Sequence, residues 1–208
     1  MCAVFSPMTL LRQWRAIAPL SGFAVLLLTP GLAIHWGVLP FAYRVHALLA
    51  VSGICIALCW WAGFSLSELG LGRPSFRAHW IGCAGLTLGL AAIMVLETHL
   101  FSFTHERPVW LGFAPFYVLV SSPCQEVVCR SIPKLMTDRL QTSGWTYVLY
   151  SSAMFSLIHI AYGDTTLLLN TFLVGIVWGI AYLRMLNLWP LIFSHAVIGT
   201  LAFSLGIA

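Results

Sequence analysis

Charged side chains are scarce in this sequence: Asp, Glu, Lys and Arg make up 8% of its 208 residues, about a third of the share usual in a water-soluble domain. No polar stretch is long enough to fold on its own. A separate soluble domain is therefore excluded, and a functional site must lie among apolar segments or in short loops. Ten Lys and Arg stand against six acids, a net +4, and they are not clustered, which argues against a nucleic-acid partner. The six cysteines, Cys2, Cys55, Cys59, Cys83, Cys124 and Cys129, fall mostly within apolar runs, where a thiol behaves as a small hydrophobe. Cys55 and Cys59 share a helix face, but without loop Cys or His pairs they predict neither a zinc knuckle nor a disulfide framework. Internal repeats are missing, and the two halves do not match in hydropathy as inverted-repeat transporters do.

What the chain does have is apolar length: 60% of its residues are hydrophobic, nine of them Trp. Runs of about 20 apolar residues are the mark of membrane-spanning helices. Seven occur: Ile17 to Leu39, Val45 to Leu66, Trp80 to Leu100, Val109 to Ile132 or beyond, Trp145 to Ile160, Thr165 to Leu186, and Leu188 to Ile207. The expected fold is all-α, a polytopic transmembrane helical bundle of about seven membrane helices forming one integral membrane domain over 1–208. Arg12 and Arg15 precede the first run, and Gly31-Leu32-Ala33 faintly resembles a signal-peptidase site; the run is long for a signal peptide, so an uncleaved first span is expected. Pro19, Pro30 and Pro115 predict local kinks. With a cytoplasmic N-terminus, Arg12, Arg15, Arg73, Arg77, Arg130, Lys134, Arg139 and Arg184 fall on one side and only Arg44 and Arg107 on the other. This bias predicts an N-inside, multi-pass membrane protein, and a bacterial cell (inner) membrane is the expected location. Glu97, His99, His105 and Glu106 read as boundary residues in headgroups or water, and Glu68 to Arg77 as an interfacial connector.

One stretch breaks the apolar rule. In Ser121 to Ile132, Glu126 and Arg130 stand one helical turn apart inside a membrane run. A carboxylate at the bilayer centre costs about 2.5 to 3.5 kcal/mol on insertion scales, so such a residue faces a bundle interior and needs a partner. Glu four residues before Arg is the favourable orientation for a pair. Two further intramembrane residues, His159 and His195, bear on the same site. Thr142-Ser143-Gly144 reads as a hairpin turn. Glu126 lies sixteen residues before Thr142 and His159 seventeen after it, so an unbroken antiparallel hairpin would set the two at equal depth, facing each other. His195, about 10 to 12 Å in from the turn near Asn187-Leu188, comes within reach if the 134–141 connector lies flat. A carboxylate and two imidazoles around an enclosed water suit hydrolysis of an unactivated bond. The same three residues are also a catalytic zinc set, although the His-Glu-x-x-His signature is missing.

Three motifs in order resemble those of the CAAX-protease and bacteriocin-processing (CPBP) family of glutamic intramembrane endopeptidases, which includes the Ras-converting CAAX endopeptidase. Gln125-Glu126-Val127-Val128-Cys129-Arg130 resembles its Glu-Glu-x-x-x-Arg motif, Phe155-Ser156-Leu157-Ile158-His159 its Phe-x-x-x-His motif, and His195-Ala196-Val197-Ile198-Gly199 stands where it has His-x-x-x-Asn. The flanks agree: 175–184 with 188–195 resembles the family's last two core helices, and Leu69-Gly70-Leu71-Gly72-Arg73 its connector. The resemblance covers roughly 69–208, leaving 1–68 as two N-terminal membrane helices.

The resemblance implies an intramembrane endopeptidase that processes a membrane-associated protein or peptide near its terminus, with the lipid bilayer as its setting and no cofactor. It implies that His159 orients the attacking water, His195 contributes to the oxyanion hole and Arg130 pairs with the acidic motif. Two positions depart from the pattern. Gln125 stands where the family has its water-activating carboxylate, and an amide is no base; Gly199 stands for Asn and brings no side-chain donor. Either Glu126 takes the base role with Gln125 positioning water or substrate, or the chain is a catalytically inactive member serving as a membrane scaffold or immunity-type binding protein. The active reading is preferred because Glu126, His159 and His195 all remain. Asn170 and Thr200 are candidates for the missing donor. A haem protein with His159 and His195 as axial ligands is a third class, which a purified sample without a Soret band would remove.

Overall fold

The computed structural model describes residues 7–73, 75–101, 103 and 108–207, with side chains from Ala18 onward. The side chains of Cys2, Arg12, Arg15, His105, Glu106 and Arg107 lie outside the described residues. Among those described there are seven helices and no strand. Helix α1 is Pro7–His35, α2 Arg44–Trp61 behind a 3-10 turn at Phe41–Tyr43, and α3 Arg77–Leu100. Helix α4 runs over 110–139, α5 is Gly144–Leu157 extended by a 3-10 turn at Ile158–Tyr162, α6 is Thr165–Met185 and α7 Trp189–Leu205. Ala18–His35, Phe41–Trp61, Arg77–Leu100 and Thr165–Met185 are each long and apolar enough to cross a membrane. The chain is a polytopic helical membrane protein, and the boundaries follow the seven apolar runs to within a few residues, apart from the two ends of α1 and α2 and the extension of α4 to Arg139.

Helix α4 carries Pro115, Pro123 and Pro133, yet it continues to Arg139. A proline lacks the N–H that would bond the carbonyl four residues back, and its ring crowds that carbonyl. Two wider π turns, Tyr117–Ser121 and Val127–Ser131, each end two residues before Pro123 or Pro133. They absorb the mismatch without stopping the helix, a device common at functional sites. The hairpin expected at Thr142-Ser143-Gly144 is present: Ser143 caps α5 by accepting from Thr146 N at 3.1 Å.

Helices α5 and α6 approach most closely at Gly175 and Gly179. A Cβ on Gly175 would lie 3.0 Å from Ser152 Cα, and one on Gly179 3.6 Å from Val148 Cα. Small residues four apart let two backbones meet in a medium that offers no hydrophobic drive between helices. Gly175→Leu is expected to cost about 1–3 kcal/mol by wedging the pair apart. The check is a lowered Tm in detergent relative to Gly22→Leu, where an added Cβ meets open space.

The 62–76 connector closes one end of the bundle. Ser131 Oγ donates to Leu69 O at 2.7 Å, Leu188 N to Gly70 O at 3.0 Å and Trp189 Nε1 to Leu71 O at 2.9 Å. Gly70 is required there: its φ is +73°, and a Cβ would lie 2.6 Å from the Tyr182 hydroxyl oxygen. Glu68 Oε2 accepts from Ser65 N and Oγ, both at 2.8 Å, which holds this exposed carboxyl below the usual carboxylate range. One expectation needs correction. Arg130 is fully buried, so it belongs to the interior and not to the loop charges, leaving seven basic residues against two in the orientation argument.

Candidate active site

The second π turn builds the centre of the molecule. Because Pro133 has no N–H to give, Cys129 O is free to accept Ser151 Oγ at 2.6 Å and Arg130 Nη1 at 3.2 Å. Arg130 Nη1 also donates to Ser151 Oγ at 2.9 Å, and its guanidinium lies 4.6 Å above the Phe155 ring. Glu126, on the preceding turn, is fully buried with its Oε2 3.7 Å from Arg130 Nε. That separation makes an ion pair without a hydrogen bond. The other carboxylate oxygen, Oε1, accepts from His195 Nδ1 at 2.8 Å.

His195 is held from three sides. Trp178 stacks on it with centroids 4.9 Å apart, Phe155 meets it edge-on at 5.3 Å, and Tyr117 does so at 6.0 Å. Trp178 is itself fixed, its Nε1 donating to Ser194 Oγ at 3.1 Å while Thr87 Oγ1 lies 2.7 Å from the same hydroxyl. A carboxylate accepts only, so Nδ1 carries the proton and Nε2 is left as the available nitrogen. His159 is arranged in parallel. Its Nδ1 donates to Phe155 O at 2.7 Å, again leaving Nε2, and its ring meets the Phe155 ring edge-on with centroids 5.2 Å apart.

Both imidazoles line one mainly apolar cavity of about 780 Å³, within the range of small-molecule and peptide sites. Gln125 lines it too: Nε2 donates to Ser121 Oγ at 2.9 Å, and Oε1 is buried without a protein partner. Glu126 does not reach the cavity wall; it stands behind His195. The expected face-to-face pairing of Glu126 with His159 is thus replaced. Glu126 meets His195 of α7 instead, because the π turn rotates residues after Val127 away from straight-helix counting and His159 sits on a 3-10 turn. Among the described residues no group of three or more His, Cys, Asp or Glu is placed to hold a metal ion.

Glu97, read as a boundary residue in headgroups or water, is half-buried near the end of α3, where it lines the cavity and accepts from Asn170 Nδ2 at 2.7 Å. Asn170 thus gives one amide N–H to Glu97, while Thr200 Oγ1 is buried off the cavity. Tyr117, Ser151 and Trp178 are site residues that the sequence does not single out. Their signal was a polar atom inside an apolar run, which by itself does not name a partner.

Residues 107–201 match the family model described as Type II CAAX prenyl endopeptidase Rce1-like, a family of the same CAAX proteases that the motifs resemble. The matched segment holds Gln125, Glu126, Arg130, His159 and His195, and leaves out α1 to α3. No curated protein and no solved structure matches the chain.

Proposed function

We propose that this chain, whose residues 107–201 match the Rce1-like CAAX prenyl endopeptidase model, is a glutamic-type intramembrane endopeptidase in which Glu126 works through His195. The observation that carries the reading is the buried 2.8 Å bond from His195 Nδ1 to Glu126 Oε1, on a ring that lines the cavity. Water held between Gln125 Oε1 and the imidazole Nε2 atoms attacks the scissile carbonyl carbon. His195 Nε2 takes the water proton and returns it to the leaving amine nitrogen, so the peptide bond is exchanged for a carboxylate and an amine. Glu126 positions His195 and stabilises the imidazolium, and Arg130 anchors Glu126; His159 Nε2 holds the water or the substrate. The apolar walls suit a membrane-associated protein or peptide, a prenylated C-terminal tail being the class the family name suggests. The excess of Lys and Arg on one side of the spans supports a cytoplasmic N-terminus.

A second reading, a non-catalytic binding scaffold, is favoured by one observation: the acidic pair begins with Gln125, and the cavity wall at that point carries an amide. One experiment separates the two. Purified protein in detergent micelles is given an internally quenched peptide ending in a farnesylated Cys-aliphatic-aliphatic-X box, with and without a metal chelator. Chelator-insensitive cleavage is expected. A wild-type protein that binds the peptide without cutting it, beside a Gln125→Glu variant that cuts it, would select the scaffold instead.

A further inference from the structure

Hydrolysis of a peptide bond needs a donor for the oxygen that becomes negative as water adds. On the cavity wall Gln125 gives one amide N–H to Ser121, Asn170 one to Glu97, and Trp178 its indole N–H to Ser194. The phenol of Tyr117, with Ser122 as a side-chain hydrogen-bond neighbour, is set against Gly199, the position at which the motif departs from a side-chain donor. It lines the cavity, and its ring is clamped by Phe113, stacked at 5.2 Å, and by Phe203, edge-on at 5.5 Å. That clamp brings the hydroxyl against Gly199, four residues after His195 on α7. A Cβ built on Gly199 would overlap the Tyr117 hydroxyl oxygen and Cζ, and would lie 2.6 Å from Cε1. No side chain at 199 is compatible with Tyr117 in this place, so the glycine and the phenol are fitted to each other. Tyr117 also opens the π turn Tyr117–Ser121, which sets its direction independently of the straight-helix register.

We infer that Tyr117 is a catalytic residue: its O–H donates to the developing oxyanion, beside the His195 ring, in the space that Gly199 leaves open. The inference rests on the hydrolytic reading above. A phenol held by aromatic neighbours meets the requirement for a donor already in position when charge develops, with no reorganisation at the moment of reaction. The proton stays on the phenol oxygen, and the bond is released when the carbonyl reforms.

The test uses full-length protein in micelles and the farnesylated quenched peptide. Tyr117→Phe keeps the ring and removes only the donor, and is expected to lower kcat about 100- to 1,000-fold with KM changed less than about threefold. Tyr117→Ala is expected to fall as far. Adding Gly199→Asn to it, where the lost ring leaves room for an amide, should recover at least about tenfold in kcat. Gly199→Asn alone, which displaces the phenol, should be impaired. A Tyr117→Phe enzyme with wild-type kcat, next to an inert His195→Ala enzyme, overturns the role of Tyr117 and leaves the hydrolytic reading standing. If His195→Ala also cleaves normally, the hydrolytic reading fails and takes this inference with it.

Discussion

His195→Ala is expected to lower kcat for the farnesylated peptide by about 100- to 10,000-fold, the range for losing a positioned acid-base group. Glu126→Gln should fall within the same range although it removes no atom that touches the cavity. The carboxylate holds His195 by a single bond from Nδ1 at 2.8 Å, which sets both the ring's angle and its tautomer. An amide at 126 either accepts that bond without the charge that stabilises an imidazolium, or presents its NH2 and forces the proton to Nε2, leaving no base. The two effects act on one unit, so the double variant should be little worse than either single one. His159→Ala is expected to raise KM as well as lower kcat, since that ring faces the cavity but has no carboxylate behind it. Retention of full activity by both Glu126 variants, Gln and Ala, would remove the dyad from the mechanism.

Arg130→Ala should be the most destabilising single change in the protein, by about 3–5 kcal/mol, because it leaves the Glu126 carboxylate buried without a counter-charge. Both side chains are fully buried. The guanidinium also satisfies Cys129 O and Ser151 and covers the Phe155 face, so three sets of contacts fail together. Arg130→Lys keeps the charge but not the planar fork, and is expected to recover only part of the loss. The informative comparison is Arg130→Met with Glu126→Gln: removing both charges avoids the orphaned ion, and its Tm in detergent should exceed that of Arg130→Ala. A double variant no more stable than Arg130→Ala would mean that packing and hydrogen bonding of the guanidinium outweigh the charge.

Much of the architecture was legible before any coordinates. An apolar run of about 20 residues has few alternatives to a membrane helix, since backbone polar groups in lipid must bond within their own segment. The same rule made Glu126, Arg130, His159 and His195 conspicuous, because each costs free energy in that setting and so implies a partner. Spacing misjudged which partners meet. Counting 1.5 Å per residue from a turn assumes an unbroken α-helix, and α4 contains two π turns while the chain at His159 is a 3-10 turn. For Glu97, nearness to the end of an apolar run gives depth but not direction, and only the packing of α3 on α6 turns it toward Asn170.

The residues alone determined the class of molecule, the number of its main helices and the short set of polar side chains that had to find partners, because these follow from the cost of polarity in an apolar medium. Which atoms touch was decided by the folded chain: that Glu126 backs His195, that Gln125 and His159 face the cavity, and that Gly199 admits the Tyr117 hydroxyl. Those contacts join α4, α5 and α7 through rotations set by prolines and π turns. Rotation about a helix axis is fixed by what packs on every side, and a linear sequence carries that information only in combination.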